Sequence, residues 1–242
     1  IEGEKLGSFW GYTFAGVWQE DDVNAPFVDA NGQTNGKTNG EVYKVKPGNS
    51  KYVDVNKDGV YNDADQGIIG CGQPTFNWGW NNTFNYKNFD FSFFVVGFHG
   101  FDIYNATHQM GYNLIKSQQM AGVTPMRELL NRWTPTNTNT DIPGFVKGGT
   151  ENKDFFSTRF VENGSFIKMK SITLGYTLPE ATCRSLGINN LRVYASVQNP
   201  FHITKYSGLD PEATMGSPLV QGVDWGAYPN SRNYLIGLNF SF

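Results

Sequence analysis

Residues Asp54 to Asp65, DVNKDGVYNDAD, set hard oxygen donors at the spacing of a metal loop. Asp54, Asn56 and Asp58 stand at positions 1, 3 and 5 of a twelve-residue loop, Gly59 at 6, the carbonyl of Val60 at 7 and Asp65 at 12. Calcium takes six to eight oxygens, and a glycine at the sixth position permits the sharp turn around it. Position 12 ordinarily carries glutamate, and the shorter Asp65 reaches less far. Four carboxylates against the single Lys57 favour a structural Ca2+ that braces a loop. The alternative is an Asx-rich turn that binds nothing, because Asp, Asn and Gly make tight turns unaided.

A second set of candidates is aromatic. Trp225 in GVDWGAYPN, and more weakly Tyr206, Trp133 and Tyr112, could stack on a substrate ring, with loop packing as the competing role. Catalytic chemistry is not indicated. His99, His108 and His202 are scattered, and no HExxH, Walker loop or GxSxG occurs. Asp210 and Glu212 in GLDPE are two apart beside a proline, which suits a structural loop role. A glycosidase pair must flank the scissile bond at a set separation, which sequence spacing does not show. Cys71 and Cys183 match no metal pattern and read as two unpaired thiols.

The elements around these residues have a period of two. In TFNWGWNNTFNY, Thr75 to Tyr86, one face carries Phe76, Trp78, Trp80, Phe84 and Tyr86, and the other carries Asn77, Asn81 and Asn85. The same alternation recurs in residues 89–98, 165–178, 191–201 and 232–242. Connections between the five segments alternate, Lys87-Asn88 and 179–190 being short, 100–164 and 204–231 long. Short turns on one side and long loops on the other suit an outer-membrane barrel, with apolar faces to lipid and polar faces such as Asn77, Asn81, Asn85, Tyr194 and Gln198 to the lumen. A soluble sandwich would pack the apolar faces together instead. Within the first long loop, YNATHQMGYNLIKSQQM and TPMRELLNRW suggest short helices, the second capped by Thr124 with Pro125 following.

Composition agrees with an all-β chain rich in turns: 242 residues with 15% aromatics and 28 glycines. The net charge of −3, with no basic stripe, argues against nucleic acid as a partner. No apolar run approaches the length of a transmembrane helix.

Five stretches in order resemble the SusC/RagA type of TonB-dependent outer-membrane transporters. They are YVDVNKDGVYNDADQGIIGCGQPTFNWGWNNTFNYKNFDFSFFVVGFHGFDIYN, NRWTPTNTNTDIPG, GSFIKMKSITLGYTLP, LRVYASVQNPFHITKYSGLDPE and YPNSRNYLIGLNFSF. The resemblance implies the C-terminal segment of a large antiparallel transmembrane β-barrel of about 22 strands, with long extracellular loops containing short helices. It implies that residues 1–74 form an extracellular region with the calcium-like loop, that 75–242 supply barrel strands and loops, and that the plug domain lies outside this sequence. It also implies import of glycan oligosaccharides, or peptides, at the outer membrane of a Gram-negative bacterium. The expected partners are a SusD-like surface lipoprotein, TonB acting through the N-terminal part, and outer-membrane lipid. The competing reading is a secreted, calcium-stabilised, carbohydrate-binding β-sandwich, and a third is an all-β glycoside hydrolase.

Overall fold

The alternating segments form a meander of five long antiparallel strands, β1 (Phe76–Tyr86), β2 (Phe89–His99), β3 (Phe166–Thr177), β4 (Asn190–Thr204) and β5 (Asn233–Ser241). Their spatial order is β5-β4-β3-β2-β1. The computed structural model describes residues 3–112, 126–145, 155–185, 187–212 and 221–241. The chain divides into two units. One comprises Ile1–Gly72, Tyr104–Glu162 and Val223–Gly226; the other comprises Gln73–Ile103, Asn163–Gly222 and Ala227–Phe242 and contains the meander.

Register lines the longest apolar row of the meander along one face. Phe84 faces Phe91, which faces Leu174, which faces Ala195, which faces Ile236. That face lies open: Trp80 is 54% exposed, Phe84 54%, Leu174 51% and Ile236 84%. Aromatics mark both ends of it, with Trp78 donating its indole N–H to His99 Nε2 at 3.1 Å and Phe89 packed on Tyr176 at 4.6 Å.

The period of two slips once. Between Met169 and Ser171 the register shifts against both neighbouring strands: Lys170 is a bulge against β2 and stands opposite two residues, Asn199 and Pro200, of β4. Ile167 and Met169 precede it on the apolar face, and Ile172, Leu174 and Tyr176 follow it there. Without the extra residue, one half of β3 would turn its apolar set to the polar side.

The polar face is ordered by glycines. The Asp90–Arg192 pair, with hydrogen bonds of 2.9 and 2.5 Å, lies across Gly175, and the Tyr194 ring lies across Gly237. At one end of this face Phe98 and Phe166 pack under Phe101, Ile103 and Tyr206, a small core roofed by the connections. Cys183 is buried in the short helix Glu180–Ser185 between β3 and β4.

The first unit is built from two-stranded pieces: Ser8–Tyr12 with Gln66–Cys71, Phe14–Val17 with Ser50–Tyr52, and Pro26–Val28 with Thr34–Thr38. Its core joins Phe9, Tyr104, Ala106 and Phe160, with Ile69, Phe156 and Val223 packed against them. The helix expected from Tyr104 onward is present as Ala106–Tyr112, and residues 113–120 lie outside the described set. The helix expected from Thr124 is corrected. Arg127–Asn131 is a 3-10 turn preceded by extended Met126, and Thr124 and Pro125 lie outside the described residues.

A methyl group at Gly175 would sit 2.4 Å from Asp90 Oδ1 and 2.5 Å from Arg192 Nη2, whereas one at Gly67 meets nothing within 4 Å. Gly175→Ala is therefore expected to destabilise the protein by about 1–3 kcal/mol, and Gly67→Ala to change little. Thermal unfolding of the detergent-purified protein reads both, and equal midpoints would refute the packing argument.

Candidate functional site

The Asp54–Asp65 loop winds its backbone N–H groups around its own carboxylates. Asp54 Oδ2 accepts from Gly59 N–H and from the Tyr43 hydroxyl, both at 2.8 Å. Asn56 Oδ1 accepts from Asp58 N–H at 3.1 Å, and Asp58 Oδ1 from Val60 N–H at 2.8 Å. Asp65 accepts from Val55 N–H at 2.8 Å and Asn62 N–H at 3.0 Å. Gly59 holds φ at 82°, the left-handed turn that position 6 needs. The Val60 N–H, and then the Asn56 side chain, hold the Asp58 carboxyl below the usual carboxylate range.

One atom of this loop is unaccounted for: Asp54 Oδ1 is buried with no hydrogen-bond partner. A buried carboxylate oxygen left bare costs free energy that a cation would recover. Among the described residues no three His, Cys, Asp or Glu side chains gather as a metal-holding group. Asp54, Asp58 and Asp65 therefore do not converge as one set, and a cation at Asp54 Oδ1 would draw on neighbouring amide and carbonyl oxygens such as those of Asn56 and Val60, which are of the kind calcium accepts.

The loop also forms a wall. Gly59, Val60 and Tyr61 line a cleft of about 250 Å³ together with Val42, Tyr43, Lys44, Val45, Ser50, Tyr52 and Phe155. Tyr43 and Tyr61 stack at 5.2 Å, and Tyr52 meets Tyr61 edge-on at 5.6 Å. Burial, and then the bond to Asp54, push the Tyr43 phenol well above its ordinary pKa; burial pushes Tyr61 up to about 12. None of this aromatic wall was singled out in the sequence, because successive tyrosines nine residues apart, at 43, 52 and 61, share a face under neither the strand nor the helix period.

The four aromatic candidates do not form one platform. Tyr206 is corrected as a stacking surface: it is 5% exposed, in the core with Phe101, Ile103 and Phe166, its ring against Gly208. Trp133 is a packing residue, its indole N–H donating to Gln19 Oε1 at 2.9 Å and its ring covering Gly48. Tyr112 lines a different cleft with His108, Glu128, Asp141 and Arg159, and the Arg159 guanidinium lies 5.1 Å over its ring. Trp225 stands 55% exposed, available to a ligand.

Asp210 and Glu212 have a structural role. Lys168, only 2% exposed, donates to Asp210 at 2.9 Å and to Glu212 at 2.7 Å. Lys170, placed by the bulge, reaches Glu212, and the Asn230 amide bonds both carboxylates. Burial alone would raise the pKa of Asp210 and of Glu212, but the lysines outweigh it, helped at Asp210 by backbone N–H groups, and hold both below the usual range.

Curated relatives match across the whole chain. It is 35% identical over 247 residues to TonB-dependent receptor P3 of Formosa agariphila, covering 100% of this chain and 22% of that protein. It is 32% identical over 199 residues to TonB-dependent receptor SusC of Bacteroides thetaiotaomicron, covering 81% of this chain and 18% of that one. The chain thus spans about a fifth of the length of these relatives. Among solved structures, the RagAB peptide transporter superposes with a TM-score of 0.69 at 24% identity, over 97% of this chain and 22% of that chain. The open-open state of the RagAB peptide importer gives the same score at 23% identity. No family model matches.

Lys168→Met would leave Asp210 buried without its cation, at an expected cost of about 3–5 kcal/mol. Because the folded-state pKa of both carboxylates is depressed, their stabilisation is complete above the ordinary carboxylate range. It is lost as pH falls through the depressed values, below about pH 4. Limited proteolysis of the connection after β4, followed against pH in the wild-type receptor and Lys168→Met, is expected to show acid-induced cleavage in the first and cleavage already at neutral pH in the second.

Proposed function

We infer the function from family and geometry together: the chain is of the SusC/RagA type of TonB-dependent receptor, and it supplies part of the wall of an outer-membrane importer for oligosaccharides. The observation that carries this is the uncovered apolar face of the meander, continuous across five strands from Phe84 to Ile236. A water-soluble protein seldom leaves so large an apolar surface open, and a β-sandwich would bury it against a second sheet. In a bilayer the same face meets hydrocarbon, and aromatics at either end of it sit at the interfaces. Strands of 9 to 15 residues are long enough to cross.

In this reading the barrel closes through further strands to about 22 in all. TonB supplies the energy through an N-terminal plug, and a SusD-like surface lipoprotein delivers the solute. The polar face, with Asn77, Asn81 and Asn85, lines the solute path. Peptides are the second substrate class, favoured by the likeness to the RagAB peptide transporter. The Asp54–Asp65 loop holds a structural Ca2+ on the extracellular side, where the ion ties Asp54, Asn56, Asp58, Val60 and Asp65 into one rigid turn. Trp225 is the aromatic best placed to touch solute.

Deleting the gene should abolish growth on one class of complex oligosaccharide while growth on its monosaccharides persists; unaltered growth on every glycan, with loss on peptides alone, would move the substrate to the second class. For the ion, terbium luminescence sensitised by Tyr43 and Tyr61 should titrate with the purified receptor and be displaced by calcium. Asp58→Ala should weaken it by on the order of tenfold. A signal identical in wild type and variant would remove the loop as the site.

A further inference from the structure

We infer that the cleft lined by Tyr43, Tyr52 and Tyr61 is a subsite for a single sugar ring bearing an anionic substituent, with Lys44 as the group that meets the negative charge. The inference deepens the import reading, on which it rests for the choice of a saccharide.

The cleft has the attributes of a built site. Its volume, about 250 Å³, suits one substituted six-membered ring. Its walls are set before a ligand arrives, since the Tyr43 hydroxyl is tied to Asp54 and the Tyr52 hydroxyl accepts from Phe155 N–H at 3.1 Å. Groups already fixed cost little ordering entropy on binding. Tyrosine rings offer apolar faces and edges to the C–H side of a sugar and hydroxyls to its polar rim. Tyr61 accepts from Tyr52 N–H at 3.3 Å, which leaves its own proton to donate.

The charge argument is more specific. Lys44 is the one residue lining the cleft with a formal charge, and its ammonium forms no ion pair with any described residue. The Lys44 backbone closes the helix Asn39–Tyr43 in the left-handed region at φ 54° and donates its N–H to Gly40 O. The nearby loop residues Asp54, Asp58, Asp63 and Asp65 carry four negative charges, which disfavour an anion in the cleft until a cation neutralises them. A bound divalent ion is the largest local charge in such a site and reverses its preference. Since residues 59–61 belong both to the loop and to the cleft wall, ion and anionic ring should bind with positive coupling.

The test uses the full receptor in detergent, with glucuronic acid, glucose and phenylalanine amide as probes in saturation-transfer NMR, and terbium luminescence on the same samples. Glucuronic acid is expected to bind in calcium and to weaken about tenfold in Lys44→Gln. Glucose should bind more weakly and be indifferent to that substitution. Val60→Trp, which crowds the lip through a side chain while leaving the carbonyl at position 60, should abolish both. The subsite is overturned if glucuronic acid binds equally in wild type, Lys44→Gln and Val60→Trp, if it does not bind, or if the amide is the probe that Val60→Trp displaces. Saccharide binding that needs Lys44 but not calcium, with no terbium signal, supports the subsite and removes the ion alone. Failure of the import reading registers separately, in growth of the deletion strain.

Discussion

In hydrocarbon no backbone N–H or C=O goes unpaired without a cost of several kcal/mol, and the meander is arranged around that constraint. β2, β3 and β4 are paired on both sides, while β1 and β5 are each paired on one side among the described residues. Those two strands also carry exposed apolar side chains, Phe76 and Tyr86 on β1, Ile236 and Phe240 on β5. A sheet with that outline is stable in a membrane only as part of a closed wall. Everything else in the second unit follows from keeping lipid-side and lumen-side residues apart along each strand.

The separation is maintained by small local devices. The bulge at Lys170 resets the alternation in β3, and in doing so delivers a second lysine to Glu212. Glycines at 175 and 237 leave room for long polar side chains to lie flat against the sheet, so that Asp90, Arg192 and Tyr194 form one layer. The charges balance within this face: Asp90 with Arg192, and Lys168 and Lys170 with Asp210 and Glu212. A buried ion pair of this kind adds little net stability compared with an apolar substitute, but it defines which arrangement of the connection is allowed. Asn230 extends that definition to the chain just before β5.

The strands were legible because alternation is dense in the sequence: all five appear within one to three residues of their expected ends. The turn at Asp54–Asp65 was legible because its Asp, Asn and Gly spacing is local. What was not legible depended on partners far away in sequence. Tyr206 reads as an exposed loop aromatic until Phe101 and Phe166 are brought over it, and Trp133 until Gly48 and Gln19 arrive beneath it. Asp210 and Glu212 were legible as structural, but their lysines, some forty residues earlier, were not. The tyrosine cleft was invisible for the same reason, since Phe155 closes it from about a hundred residues beyond Tyr52.

That cleft gives the loop a meaning that a brace alone does not have. A turn needed only for rigidity could satisfy itself, as Asp58 and Asp65 nearly do with backbone N–H groups. Asp54 differs: one oxygen is engaged by Gly59 and by Tyr43, and the other is left bare. An ion taken by the bare oxygen pulls on the same carboxylate that fixes the Tyr43 ring. The ring is a wall of the cleft, and the next wall, Tyr61, is part of the loop itself. An ion bound there would therefore tie the occupancy of the loop to the shape and charge of the cleft through a single aspartate.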